Sequence, residues 1–98
     1  MEVLQTPEFD NWYEDCALRD RAQVDARIAR IEAFEHFGDW KNLGDGLAEL
    51  RWKNGRRVYF TKIGAKIILL LSGGLKNAQK KDIKKARQLL QRYADAET

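Results

Sequence analysis

The residues of this chain best suited to chemistry are the cations of its second half. Residues 1–50 contain 5 Lys and Arg against 12 Asp and Glu, whereas residues 51–98 contain 13 against 3, so the two halves carry net charges of −7 and +10. Guanidinium and ammonium groups bind phosphate, and a tyrosine ring can stack on a base. The second half is therefore predicted to face a polyanion, with RNA as the first candidate. The cations concerned, with Tyr59 among them, are Arg51, Lys53, Arg56, Arg57, Lys62, Lys76, Lys80, Lys81, Lys84 and Lys85.

Arg51 and Arg57 are the strongest candidates for an anion site. They lie in two strand-like runs and alternate with apolar residues, which predicts one exposed sheet face carrying both arginines and Tyr59. Two adjacent guanidinium groups repel each other, so their pairing on a strand face favours a bound anion. For Lys84 and Lys85 a solvated helix face that keeps the protein soluble is the favoured interpretation.

Other kinds of site find no support in the sequence. His36 is the only histidine and Cys16 the only cysteine, so there is no metal-ligand spacing and no internal disulfide. A nucleophilic pair of these two residues would have to form across separate helices. Phosphate-loop and dinucleotide fingerprints are missing as well. The sequence predicts neither a metal nor a cofactor.

Length and composition predict one domain over residues 1–98. Hydrophobic residues make up 44% of the 98, enough for one core, and the mean hydropathy is −0.61. No apolar run approaches the roughly 18 residues of a membrane span, and Met1-Glu2-Val3 does not begin a secretory signal. With a single cysteine, this predicts a cytoplasmic protein.

The first half predicts a short strand over residues 2–6 and two helices. Thr6 is a plausible N-cap, with Pro7 as the first helical residue. A second helix is expected to begin near Asp20 and to end at Gly38, with His36 in its last turn. The expected inward residues are Phe9, Trp12, Tyr13 and Cys16 in the first helix, and Val24, Ile28, Ile31, Phe34 and Phe37 in the second.

The second half predicts three strands and a helix. The runs 47–52, 57–63 and 66–72 are joined by short glycine-containing connections, which permit only antiparallel pairing. The third run is apolar on both faces, as in a strand covered on both sides, and Gly73-Gly74 is expected to end it. Asn77 is the expected cap of a helix whose inward stripe is Ile83, Ala86, Leu90 and Tyr93. The fold class is α+β, a small antiparallel sheet with two N-terminal helices and a C-terminal helix.

Several short motifs together resemble the RelE/ParE toxin superfamily, and most closely its HigB-like branch of addiction module killer proteins. They cover roughly residues 44–90, and the predicted order of elements extends the likeness over the chain. The motifs are Gly46-Leu47-Ala48-Glu49-Leu50-Arg51, Gly55-Arg56-Arg57-Val58-Tyr59, the run 67–71 with Gly73-Gly74, Lys76, Gln79, Asp82-Ile83 and Ala86.

This resemblance implies a type II toxin with a microbial RNase-like fold, held inactive by an adjacently encoded antitoxin, typically of the helix-turn-helix kind. It implies a metal-independent endoribonuclease that cuts mRNA in the ribosomal A site. The positions similar to the family's are Arg51, Arg57 and Lys76, expected to bind the scissile phosphate and the leaving oxygen. Tyr59 is a candidate base if nearby cations lower its pKa. The expected RNA-binding residues are Lys53, Arg56, Lys62, Lys80, Lys81 and Lys84.

One departure from the family leaves the general base open. Some relatives carry a late histidine or tyrosine, but no histidine follows His36, and Tyr93 lies in the inward stripe of the last helix. A ParE-like poison of DNA gyrase and a non-catalytic nucleic-acid-binding module are the alternatives. The basic half could also receive an acidic antitoxin segment.

Overall fold

Within residues 1–96 the fold consists of five strands and three helices. The computed structural model describes residues 1–96, and no helix within them is long and apolar enough to cross a membrane. The elements are β1 (Glu2–Gln5), α1 (Pro7–Asp15), α2 (Leu18–Phe34), β2 (Trp40–Gly44), β3 (Leu47–Arg51), β4 (Arg56–Ile63), β5 (Ile67–Leu75), one 3-10 turn (Lys76–Ala78) and α3 (Gln79–Ala96).

The strands form one mixed sheet in the order β1-β5-β4-β3-β2. The antiparallel meander predicted for the second half is confirmed as β3, β4 and β5. Two strands extend it. β2 pairs antiparallel to β3, and β1 pairs parallel to β5 with Glu2 opposite Ile67. The α+β class is confirmed. The small antiparallel sheet expected from the sequence is extended to a mixed one, because β1 pairs parallel to β5.

Helices cover both faces of the sheet. On one face α1 and α2 enclose an apolar cluster that includes Phe9, Val24 and Ile31, while on the other α3 packs Ala86 and Leu89 against the sheet. Alternate residues of β5 enter these two clusters. The prediction that this strand is covered on both sides is therefore confirmed.

The start of α1 follows its sequence signal. The Thr6 hydroxyl oxygen accepts a hydrogen bond from the Phe9 N–H at 3.0 Å and the hydroxyl donates to the Leu71 carbonyl at 2.8 Å, while Pro7 is the first helical residue. One buried side chain thus caps the helix and ties it to β5.

The end of α2 differs from the prediction. Glu35, in the left-handed conformation at φ 55°, ends the helix three residues before Gly38. His36 consequently follows the helix and is exposed, not in its last turn. Phe34, expected inside, is 79% exposed, whereas Ile31 is fully buried as predicted.

The junction between β5 and α3 also differs. β5 continues through Gly73-Gly74 to Leu75, and Asn77 lies in the 3-10 turn instead of capping a helix. Gly73 allows the Trp12 ring of α1 to pack directly on this part of β5, because a Cβ there would overlap the ring. The inward stripe of α3 is confirmed, with Leu89 added to it.

Candidate active site

Arg51 and Arg57 occupy directly opposite positions on β3 and β4. Side chains opposite each other in an antiparallel pair point to the same face, here the face covered by α3. The predicted pairing of the two arginines is confirmed. Their exposure differs from the prediction, because the Arg51 side chain is 36% exposed and that of Arg57 only 5%.

A buried carboxylate lies between the two guanidinium groups. Oε2 of Glu49 is 3.6 Å from Nε of Arg51 and 4.0 Å from Nε of Arg57, and its side chain is fully buried. Gln79 Nε2 at the start of α3 donates to both carboxylate oxygens, at 3.0 and 3.1 Å. Sequence reasoning did not select Glu49, although it shares the strand parity of Arg51.

Arg57 is held from inside the protein. Its Nη1 donates to the carbonyl oxygens of Trp52, at 3.3 Å, and Arg56, at 3.0 Å. The Nε atoms of Arg51 and Arg57 are buried with no hydrogen-bond acceptor in residues 1–96. A buried N–H without an acceptor lowers the free energy of unfolding. Packing alone therefore does not explain why this cluster is polar.

Tyr59 lies deeper in the same face, opposite both Glu49 on β3 and Ser72 on β5. It is fully buried, and neither its hydroxyl nor that of Ser72 has a hydrogen-bond partner in the described part of the chain. Burial, then the negative charges of Glu49 and Asp82, raise the pKa of Tyr59. The expectation that nearby cations lower this pKa is wrong, because burial and the carboxylates outweigh Arg57.

Asp82 shows how closely α3 approaches the sheet. A Cβ on Gly74, the β5 residue opposite Arg57, would fall 2.7 Å from Asp82 Cγ and closer still to Oδ2. Burial raises the pKa of Asp82, against the effect of Lys85 and Lys81. Glycine at position 74 therefore makes the covering of Arg57 and Tyr59 possible.

Lys53 and Lys76 stand at the open rim of the site, beside the β3–β4 turn. Both are exposed and line one cleft of about 580 Å³ with Asn54 and Gly55. The Lys76 N–H donates to the Gly55 carbonyl at 2.7 Å, which fixes the start of the 3-10 turn against the hairpin. A neighbouring cleft is lined by Lys53 and Arg51. Three predicted cations thus meet around one turn.

Two predicted RNA contacts lie elsewhere. Arg56 points to the opposite face, where its Nη2 is 2.8 Å from Asp20 Oδ2 and its Nη1 3.3 Å from Cys16 Sγ. Lys62 shares the strand parity of Arg56 and lines a cavity beside Phe60. The structure therefore does not bring these two cations to the site, because residues of even number on β4 face α1 and α2.

The remaining predicted contacts, Lys80, Lys81 and Lys84, are exposed on α3. No ion pair of theirs is found within residues 1–96. The described chain also contains no group of three or more His, Cys, Asp or Glu able to hold a metal. The surface of the face therefore carries Arg51 and five lysines, and Arg57 lies buried behind them. The lysines are Lys53, Lys76, Lys80, Lys81 and Lys84.

Comparison with known proteins places the chain by sequence and by structure. An uncharacterized protein of Haemophilus influenzae is 40% identical over 94 residues, covering 93% of this chain and 94% of that protein. The isolated E. coli RelE toxin matches with a TM-score of 0.64 at 12% identity, over 86% of this chain and 96% of that one. A chain of the intact E. coli RelBE toxin-antitoxin complex gives 0.64 at 13% identity, over 76% and 94%. No protein-family model matches the chain.

The sequence match and the structural matches carry different information. Identity of 40% over nearly the whole of both chains shows common membership of one family, whereas 12 and 13% identity with a TM-score of 0.64 shows a common fold. The RelE-like fold predicted from the motifs is confirmed. The chain belongs to the protein family of this Haemophilus influenzae relative, and its fold is that of the RelE toxin.

Proposed function

We propose that this chain is the toxin of a type II toxin-antitoxin pair and a metal-independent endoribonuclease that cuts mRNA on the ribosome. Its RelE fold supports a toxin, since the two structural matches are a RelE toxin and a RelBE toxin-antitoxin complex. The motif resemblance to the HigB-like branch belongs to the same proposal. The proposal also includes a single toxin domain over residues 1–98, of which residues 97 and 98 lie outside the described chain. It further includes a cytoplasmic location.

The observation that carries the nuclease proposal is the pair Arg51 and Arg57 around Glu49, open to solvent at Arg51. The formal charges of Arg51, Arg57 and Glu49 sum to one positive charge. A partly buried cation stabilises a nearby anion more strongly than one in bulk water. Arg51 is therefore proposed to bind the non-bridging oxygens of the scissile phosphate, with Arg57 adding charge from behind.

The proposed step is a transfer within the RNA. The ribose 2′-oxygen attacks the adjacent phosphorus, the bond from phosphorus to the 5′-oxygen breaks, and a 2′,3′-cyclic phosphate remains. Lys76 is proposed to neutralise the leaving 5′-oxygen, which takes up a proton from water. A ribosomal group is proposed to take the 2′-hydroxyl proton, because Tyr59 is buried and its pKa is raised.

The basic surface of α3 supports a role in holding RNA. Lys80, Lys81 and Lys84 are exposed along the helix that covers the site, and Lys53 extends the positive rim. Exposed lysines attract the phosphate backbone without reading sequence. An acidic segment of an antitoxin, itself encoded beside the toxin, is proposed to bind the same surface and to block it.

A ParE-like gyrase poison is the second candidate, and the burial of Arg57 and Tyr59 favours it. With both under α3, only two of the four residues first expected to be catalytic, Arg51 and Lys76, are open to a nucleic acid. A gyrase poison would need the basic surface without the catalytic groups.

Induced expression in E. coli separates the candidates. We expect growth to stop, translation to fall before DNA synthesis, and mRNA to gain new 5′ ends in register with codons. Gyrase-dependent DNA breaks with intact mRNA would favour the second candidate. Normal growth would favour a non-catalytic module.

A further inference from the structure

Strand β2 leaves part of the sheet edge open. It is the last strand of the sheet and pairs only with β3. The Arg51 N–H donates to the Asp39 carbonyl at 2.9 Å, so by the alternation of an antiparallel ladder Lys41 also pairs inward, and the backbone groups of Trp40 and Asn42 point outward. Such an edge can accept another strand.

Arginine side chains contact the backbone at the two ends of this edge. At one end Arg27 Nη1 donates to the Asp39 carbonyl at 3.2 Å, and at the other Arg87 Nη2 donates to the Leu43 carbonyl at 2.8 Å. Between these contacts the outward backbone groups are those of Trp40 and Asn42, which can form up to about four hydrogen bonds with one added segment.

A pocket of about 320 Å³ lies directly beside the open edge, on the face of α1 and α2. Its floor is Ala48, a small residue between Asn42 on β2 and Phe60 on β4. Phe37 and Trp40 form an aromatic wall, with ring centroids 6.0 Å apart, and Trp40 remains 49% exposed. This volume is large enough for an apolar side chain.

Charge around the edge favours an acidic partner. Lys41 is exposed on the opposite face of β2, and Lys62 lines the pocket. Neither lysine forms an ion pair within residues 1–96, and the carboxylate lining the pocket is that of Asp45. Because neighbours in a strand point to opposite faces, a segment added here would meet the pocket with one residue and Lys41 with the next.

We propose that the edge Trp40–Asn42 and the pocket over Ala48 form a docking site for an extended peptide with alternating apolar and acidic residues. The peptide adds a strand to β2, places an apolar side chain against Trp40 and Phe60, and places a carboxylate beside Lys41. The pocket lies on the opposite face from Arg51, whereas Lys41 lies on the face of Arg51, opposite Glu49 on β3. The proposal does not depend on the proposed nuclease activity.

Titration of the isotope-labelled full chain with the synthetic peptide Glu-Val-Glu-Phe-Glu-Val-Glu tests the proposal by NMR. We expect saturable shifts of the Trp40 and Asn42 amides and of the Trp40 indole, with a Kd below about 1 mM. The same peptide with lysine in place of glutamate should bind roughly tenfold more weakly, since it would face Lys41 with like charge.

Variants of the edge separate docking from simple attraction to a basic protein. Asn42→Pro removes an outward N–H that the fold does not use and should weaken binding roughly tenfold, whereas Asn42→Ala keeps the N–H and should not. Lys41→Glu should weaken binding by a similar factor, and Arg19→Glu is its charge-matched control. This pair of variants tests the proposal even if the proline variant fails to fold.

Three results would overturn the proposal. They are shifts confined to α3 and the Arg51 rim, unchanged affinity in both Asn42→Pro and Lys41→Glu, or the absence of saturable binding. Displacement of the peptide by a short RNA from Trp40 and Asn42 would instead show a nucleic-acid site.

Discussion

Gln79 donates to both carboxylate oxygens of Glu49, at 3.0 and 3.1 Å, and so links the first turn of α3 to strand β3. Glu49 in turn lies within 3.6 to 4.0 Å of the Nε atoms of Arg51 and Arg57. The position of the helix and the position of the proposed phosphate-binding arginine therefore depend on one buried carboxylate.

Removing the amide at position 79 should destabilise the protein. Gln79→Leu leaves the Glu49 carboxylate with fewer donors, and we expect the free energy of unfolding in urea to fall by about 1–3 kcal/mol. Gln88→Leu, an exposed position on the same helix, should change it by less than about 0.5 kcal/mol. Equal effects of the two variants would show that the Glu49 contact has little energetic weight.

Gly74→Ala should disturb the packing of α3. The added methyl group overlaps the Asp82 carboxylate, so we expect a loss of about 1–3 kcal/mol in unfolding free energy. Asp82→Ala in the same chain should restore most of that loss, because it removes the overlapping group. Additive effects in this double-mutant cycle would contradict the contact.

Stability should decrease at alkaline pH through Tyr59. Burial raises its pKa above the ordinary 10.0, so at high pH the unfolded chain loses a proton that the folded chain retains. The stability that depends on this group is intact below pH of about 10 and is lost as pH rises through the folded pKa. Tyr59→Phe should flatten the decrease in the urea midpoint above about pH 10. An identical pH profile for both proteins would mean that the hydroxyl is not buried.

RNA binding should depend on α3 and not on Arg56. Replacing Lys80, Lys81 and Lys84 by Ala should reduce the slope of log Kd against log salt for a single-stranded RNA by about 2. Arg56→Ala should leave the slope unchanged but lower stability, because it breaks the contact with Asp20. The reverse pattern, measured by fluorescence anisotropy, would place the RNA on the face of α1 and α2.

Local patterns identified most of the elements. The Thr6-Pro7 cap, the buried stripe of α3 and the doubly covered β5 all follow from the spacing of residues close in sequence. β2 could not be found this way, because Trp40–Gly44 lacks alternation and becomes a strand by pairing with β3. The exposure of Phe34 depends on where α2 ends, which Glu35 decides.

The sequence predicted which residues share the face of the candidate site, but not how deeply their side chains are buried. Strand parity placed Arg51, Arg57 and Tyr59 on one face, as the structure has them. Parity does not tell what covers that face, and α3 buries two of the three. Glu49 was missed because a charged residue in an alternating strand is ordinarily taken as solvent-facing.

Primer extension on a defined mRNA in a translating extract tests the central proposal most directly. Wild type, Arg51→Ala and the exposed control Arg19→Ala would be compared, each with ribosomes and on the same mRNA without them. We expect codon-registered cuts only with ribosomes, reduced roughly 100-fold or more by Arg51→Ala and unchanged by Arg19→Ala. Intact mRNA with wild type, or equal cutting by Arg51→Ala, would contradict the proposal that this chain is a ribosome-dependent endoribonuclease acting through Arg51.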